Sequence, residues 1–88
     1  MIHTFKGIAV VQTATQDFSE DVDLDFEIEN IGDEWSWKLD GYGRDGMLVS
    51  IDTFTTKEKC IEHADAYGAA WVVMREDIMA RELNVVAV

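Results

Sequence analysis

The clearest pattern in the chain is the alternation in residues 22–31, VDLDFEIENI. The apolar side chains of Val22, Leu24, Phe26 and Ile28 are separated by carboxylates. A period of two places the two sets on opposite faces of a β-strand. The pattern therefore predicts a strand that packs its apolar face on a core and leaves its acidic face to water.

Three more segments are predicted to be strands. Residues 2–13 are rich in β-branched residues and continuously apolar at 8–11, which predicts a strand covered on both faces. Residues 35–39, WSWKL, and 47–54, MLVSIDTF, alternate again. With residues 22–31, these segments make four strands.

Short polar or glycine-rich stretches separate the predicted strands. Residues 14–21, ATQDFSED, are predicted to form a turn. The segment 30–34, NIGDE, carries a turn signal, and 40–46, DGYGRDG, is predicted to be a loop because it holds three glycines in seven residues. These connections are short enough for neighbouring strands to pair antiparallel.

A long helix is predicted over residues 56–83. Thr55 and Glu58 have the spacing of a capping box at its start. An apolar stripe with 3–4 spacing continues along it, formed by Cys60, Ala64, Tyr67, Trp71, Met74 and Ile78. The alternative, in which Gly68 ends the helix and residues 69–74 form a fifth strand, stays open. The tail 85–88, VVAV, is expected to add a strand or to lie on the sheet.

These elements predict an α+β fold in two layers, with a four-stranded antiparallel sheet packed on one long C-terminal helix. The expected core places Phe26, Trp35 and Trp37 under the helical residues Cys60, Ala64, Trp71 and Met74. At this length the chain is predicted to be a single domain, residues 1–88.

Charge is the outstanding feature of the composition. The chain has 18 acidic and 7 basic residues, a formal net charge of −11. No Lys or Arg lies between Lys6 and Lys38, a stretch that holds nine of the acids. Direct binding to nucleic acid or to an anionic membrane is not expected, because both need basic residues to displace counterions. The lack of an opening signal-like segment, together with one cysteine, leads us to expect a cytoplasmic protein.

The sequence offers weak candidates for metal binding or catalysis. Asp21-x-Asp23-x-Asp25 begins like a calcium loop, but the glycine and glutamate that such a loop needs are replaced by Phe26 and Gly32. Cys60 and His63 are one helical turn apart, yet that cysteine lies on the predicted core stripe. We therefore expect no enzyme activity, no metal and no cofactor.

The acidic residues are the best candidate binding surface. Like charges placed side by side on a strand disfavour one another, so a partner explains them better than folding does. That partner is expected to be a protein with a basic surface. The candidate partner-binding residues are Asp21, Asp23, Asp25, Glu27, Glu29, Asp33 and Glu34.

In size, charge, α+β layout and lack of catalytic residues, the chain resembles small acidic phage-encoded inhibitors. This class includes anti-CRISPR and anti-restriction proteins, several of which are DNA mimics. The resemblance implies a stoichiometric inhibitor that occupies a positively charged nucleic-acid-binding groove of a host complex in the bacterial cytosol. The alternative is a structural or regulatory module that forms a homodimer through an apolar edge such as 85–88, with acidity serving solubility.

Overall fold

The computed structural model describes residues 1–40, 47–50 and 52–83, and only the backbone of residues 47–49. These residues form four strands and one helix, in chain order β1 Ile2–Gln12, β2 Asp17–Ile31, β3 Glu34–Asp40, β4 Met47–Val49 and α1 Lys57–Glu82. Each strand pairs antiparallel with the next, in the order β1-β2-β3-β4. The helix packs on one face of the sheet, against β1, β2 and β3. The α+β class and the single C-terminal helix are confirmed.

β2 is longer than the sequence pattern predicted. Residues 17–21 continue the strand, and Gln12 lies opposite Asp17. The predicted turn over 14–21 is therefore wrong for residues 17–21, because Thr13 closes a tighter turn. Its hydroxyl accepts from the amide of Gln16 at 3.0 Å, and its own amide donates to the carbonyl of Gln16 at 3.0 Å. The second turn is predicted correctly: Gly32, with φ 62°, occupies the left-handed region.

The prediction that β1 is covered on both faces is wrong. Ala9 and Val11 are buried under the helix, whereas Ile8 and Val10 are 59% and 41% exposed on the other face. The described residues form two layers, the sheet and the helix on its inner face, so none of them covers the outer face. The continuous apolar run therefore spans one buried and one exposed face.

The predicted fourth strand is formed only in part. β4 pairs with β3 through Lys38↔Val49, whereas Phe54 forms a single bridge with Trp35. The register thus gains two residues between these pairs, and the amide of Ser50 still donates to the carbonyl of Trp37 at 2.9 Å. The helix packs on β1, β2 and β3. The prediction of an antiparallel sheet beneath the helix is therefore confirmed, but the predicted number of four strands beneath it is not.

The helix runs unbroken through Gly68, as the preferred prediction stated. Its N-cap is Thr56, whose hydroxyl accepts from the amide of Lys59 at 3.2 Å. The predicted capping box of Thr55 and Glu58 is wrong by one residue, because the backbone at Thr56 is still extended (φ −135°, ψ 155°). The helix therefore begins at Lys57. The predictions for the tail 85–88 and for the loop 41–46 fall outside the described residues.

The core lies between the helix and the inner face of β1, β2 and β3. Phe26 and Trp37 are fully buried and meet edge to face, with ring centroids 5.0 Å apart. Cys60 and Ala64 are buried above them, as predicted. Met74 was expected there but is 49% exposed, because the buried side of the helix passes instead through Gly68 and Met79, with Val72 half-buried between them.

Candidate protein-binding face

The core fixes which face of β2 meets water. Val22, Leu24, Phe26 and Ile28 are between 0% and 5% exposed on the inner face. The residues between them therefore point outward, and Asp21, Asp23, Asp25 and Glu27 are exposed while Glu29 is half-buried. We call these five carboxylates the acidic row. Since i and i+2 side chains of a strand lie about 6.6–6.8 Å apart, the acidic row spans about 27 Å.

The neighbours of the acidic row come from β1 and β3. On the β1 side, Ile8 lies opposite Asp21, and Thr4 lies opposite Asp25. The hydroxyl of Thr4 donates to Asp25 Oδ1 at 2.6 Å. This contact orients one carboxylate of the row but leaves its charge in place.

The row is less isolated in space than in the sequence. Lys6 lies opposite Asp23, and Lys38 lies opposite Glu27. Lys38 Nζ is 2.6 Å from Glu29 Oε1, and this hydrogen bond and ion pair raise the pKa of Lys38. The two lysines that bound the acidic block in the sequence therefore flank it in the sheet. The acidic row is therefore partly compensated in the sheet, although the sequence between the two lysines holds no basic residue.

The structure also places carboxylates near the row that sequence reasoning did not select. Asp17 and Asp40 are exposed and share the outer face by strand alternation. Extending the period of two to the ends of each strand would have found both. Of the candidates that the sequence did select, Glu34 lies on this face at the start of β3, and Asp33 is exposed in the adjoining turn.

Glu20 belongs to the other face of β2 and not to the row. Its carboxylate accepts from Nε and Nη2 of Arg75 on the helix, the second contact at 3.1 Å. The hydrogen bond to Arg75 lowers the pKa of Glu20. Glu20 thus ties β2, near the β1–β2 turn, to the helix, and its carboxylate is already paired, unlike the exposed carboxylates of the acidic row.

Comparison of the chain with protein-family models, with curated proteins and with solved structures found no match. The role of the acidic row therefore has to be inferred from the charges and positions of its side chains. No helix among the described residues has the length and apolarity that a membrane crossing needs.

Cys60 and His63 do not form a thiolate–imidazole pair. Cys60 is fully buried, and burial raises the pKa of its thiol. His63 instead accepts a hydrogen bond at Nδ1 from Nε1 of Trp37 at 3.0 Å, and its ring packs at a tilt of 42° against Phe54, with centroids 4.9 Å apart. A thiol held neutral is a poor nucleophile, and the histidine serves to satisfy a buried indole N–H.

No group of three or more metal-binding side chains converges within the described residues. The candidate calcium segment Asp21, Asp23 and Asp25 lies on a straight strand, where alternate side chains run parallel. Oxygen ligands must converge on one calcium ion. The acidic row can attract cations loosely, but its arrangement suits a long basic surface better.

Proposed function

We propose that this protein is a non-enzymatic binding protein whose acidic row docks on a basic protein surface. The surface that fits best is the nucleic-acid-binding groove of a host complex, which the protein would block stoichiometrically. The observation that carries the proposal is the row itself: five carboxylates at regular spacing, fixed on the outer face of a strand whose other face is core.

Rigidity supports a recognition role for the row. β2 pairs on both sides, with β1 and with β3, so the carboxylates cannot spread apart to relieve their repulsion. A surface that keeps like charges close costs folding stability, and a basic partner offsets that cost when it binds. The spacing of about 6.7 Å is roughly twice the axial spacing of phosphates along one DNA strand, so the row offers about half its charge density.

The flanking lysines limit where the partner sits. Lys38 pairs with Glu29. Lys6 lies opposite Asp23 but forms no ion pair within the described residues, and Asp21 has Ile8 opposite it. The strongest negative potential is therefore expected over the N-terminal half of the row. Basic side chains of a partner would approach there first, because exposed charges steer association over about 10 Å at 0.1 M salt.

The test compares two triple variants with the same change in charge. The first reverses part of the row, Asp21→Lys, Asp23→Lys and Glu27→Lys. Each protein is immobilised and used to capture proteins from a bacterial lysate, and each captured protein is then titrated for displacement of its bound nucleic acid. We expect wild type to displace the nucleic acid at about one equivalent and the row variant to lose at least about tenfold in affinity.

The matched control reverses three acids outside the sheet face, Asp52→Lys, Glu58→Lys and Glu82→Lys. It should retain the same partner within about threefold at 0.15 M salt, since distant exposed charges are screened. If both variants lose the partner equally, net charge and not the row is responsible. If neither loses it, the acidic row is not the binding surface.

A further inference from the structure

β1 is an edge strand whose even-numbered residues turn their backbone N–H and C=O groups away from β2. The amide of Ile28 donates to the carbonyl of Met1 at 2.8 Å, and the register from there to Gln12 is unbroken. Hydrogen-bonded pairs alternate along an antiparallel ladder. The odd-numbered residues of β1 therefore bond to β2, and the even-numbered ones face the open edge.

The helix satisfies one of these outward amides. The backbone amide of Val10 donates to Glu76 Oε2 at 2.8 Å, which agrees with the alternation. Within the described residues, no acceptor meets the amides of Ile2, Thr4, Lys6 and Ile8. Proteins usually protect such edges with proline, bulges or charges. Here the run from residue 2 to residue 8 has an unbroken register, holds no proline and carries a single lysine.

One stripe of the helix runs above this edge and is acidic at both ends. Asp65 Oδ1 lies 2.7 Å from His3 Nε2, Val72 contacts Gly7, and Glu76 reaches Val10, so the helix follows β1. Residues 62, 65, 69, 72 and 76 share this stripe by 3–4 spacing. They bring carboxylates near the two ends of the open run and a small residue, alanine, above its middle.

The outer side of the same edge is apolar at its ends. Ile2 is 58% exposed and Ile8 is 59% exposed, and Thr4 and Lys6 lie between them. A strand added to β1 would place alternate side chains beside these residues and the remaining side chains beneath the acidic helix stripe. On a strand added at this edge, apolar side chains would therefore suit the outer side, and basic side chains would suit the side beneath the helix.

We propose that β1 binds an extended peptide segment in which basic and apolar residues alternate, by adding it to the sheet as a new edge strand. The backbone of Ile2, Thr4, Lys6 and Ile8 supplies the hydrogen bonds. Basic side chains of the segment point towards Glu62, Asp65 and Glu76, while its apolar side chains cover Ile2 and Ile8. This surface is distinct from the acidic row and does not depend on it.

Charge argues against a second copy of this chain as the occupant. Antiparallel pairing of two β1 edges through the free amides centres on Phe5, so the helix stripes of the two copies would run side by side in opposite directions. Glu62 and Asp65 of each copy would then face the stripe of the other, including Glu76. Like charges brought together in this way oppose association, whereas a basic segment relieves them.

The test uses the full chain and the synthetic peptide acetyl-VKVKVKV-amide, followed by amide hydrogen exchange in NMR spectra. We expect the peptide to slow exchange of the amides of Ile2, Thr4, Lys6 and Ile8, and to leave Phe5 almost unchanged. The peptide acetyl-VEVEVEV-amide should not bind, and VKPKPKV, with the same charge but unable to form a ladder, should bind at least about tenfold more weakly.

Two pairs of protein variants test the edge and the stripe. Thr4→Pro removes one outward amide, and the control Thr4→Val keeps that amide while also losing the contact with Asp25. The proline variant should bind the peptide about two- to tenfold more weakly than the valine variant, since it loses one hydrogen bond of the ladder. Glu62→Lys should weaken binding several-fold, and Asp52→Lys should leave it unchanged. Exchange of the Phe26 amide checks that each variant is folded.

Several results would overturn the proposal. Peptide binding without protection of the edge amides would place the peptide elsewhere, for example on the acidic row. Equal binding by Thr4→Pro and Thr4→Val would show that no ladder forms. Protection that grows with protein concentration in the absence of peptide would mean that a second copy occupies the edge. None of these results bears on capture by the acidic row, so the two proposals fail separately.

Discussion

At the scale of single residues, Gly68 shows how packing decides the use of an amino acid that sequence patterns leave ambiguous. Glycine near the middle of a helical pattern indicates either a helix end or a close contact. Here the ring of Phe5 lies directly on Gly68, so that a Cβ at this position would overlap the ring near its attachment to the chain. The glycine thus lets the helix approach β1.

Replacing Gly68 by alanine should destabilise the protein even though alanine favours helix. Alanine gains about 1 kcal/mol of helix propensity over glycine, whereas overpacking a filled site costs about 1–3 kcal/mol. We expect a net loss of about 1 kcal/mol in the free energy of unfolding, measured by urea denaturation. In a Phe5→Ala background, where Cγ and the rest of the ring are absent, Gly68→Ala should be neutral or stabilising. Stabilisation by Gly68→Ala in the wild-type background would contradict the contact.

At the scale of elements, the helix is tied to the sheet by contacts that differ along its length. Near its start, Trp37 donates to His63. Near its end, Arg75 pairs with Glu20 on β2 and also lies 3.8 Å from Glu82 Oε1. The second tie is ionic and exposed, so its contribution depends on pH.

The pair of Glu20 and Arg75 predicts a pH-dependent difference between wild type and Glu20→Gln. Arg75 lowers the pKa of Glu20 from 4.5 in the folded protein. The pair therefore adds stability above pH 4.5, and this stability is lost as the pH falls through the lowered pKa. The urea midpoint of wild type should exceed that of Glu20→Gln at pH 6, and the two should converge at low pH. Arg75→Gln should converge in the same way. A difference that persists at low pH would contradict the assignment.

The sequence predicted correctly those elements in which a single effect, burial or backbone conformation, determines the residue pattern. The strict alternation of β2 and the turn at Gly32 are confirmed because burial and backbone conformation act there without competition. The start of the helix and the length of β4 depend on how Ser50 and Phe54 pair with β3, which is tertiary information. The exposed face of β1 was missed because an apolar run looks the same whether one or both faces are covered.

The candidate site was predicted in its residues but not in its electrostatics. Strand alternation placed the acidic row on the open face, as the sequence indicated. The ion pair of Lys38 with Glu29 depends on the register between β2 and β3. The open edge of β1 depends on which strand lies outermost in the sheet. Neither feature can be read from local spacing alone.

At the scale of the whole molecule, net charge and shape act together. The molecule measures 54 × 25 × 17 Å and carries a formal net charge of −11. The outer face of its thin sheet holds carboxylates within about 7 Å of one another, well inside the screening length at 0.1 M salt. Self-repulsion should therefore reduce the stability of the folded state, and most strongly at low ionic strength.

Asp21→Asn provides the sharpest measure of this repulsion. It removes one charge of the acidic row and breaks no ion pair of the described residues, since the residue opposite Asp21 is the apolar Ile8. At about 20 mM salt we expect the variant to be more stable than wild type by about 0.5 kcal/mol in urea denaturation. The gain should shrink at about 0.5 M salt, because the salt already screens the repulsion in wild type. Asp52→Asn, away from the sheet, should gain less at low salt. A variant less stable than wild type at both salt concentrations would show that Asp21 contributes to folding. It would also remove the argument that the acidic row is maintained for a partner at the expense of stability.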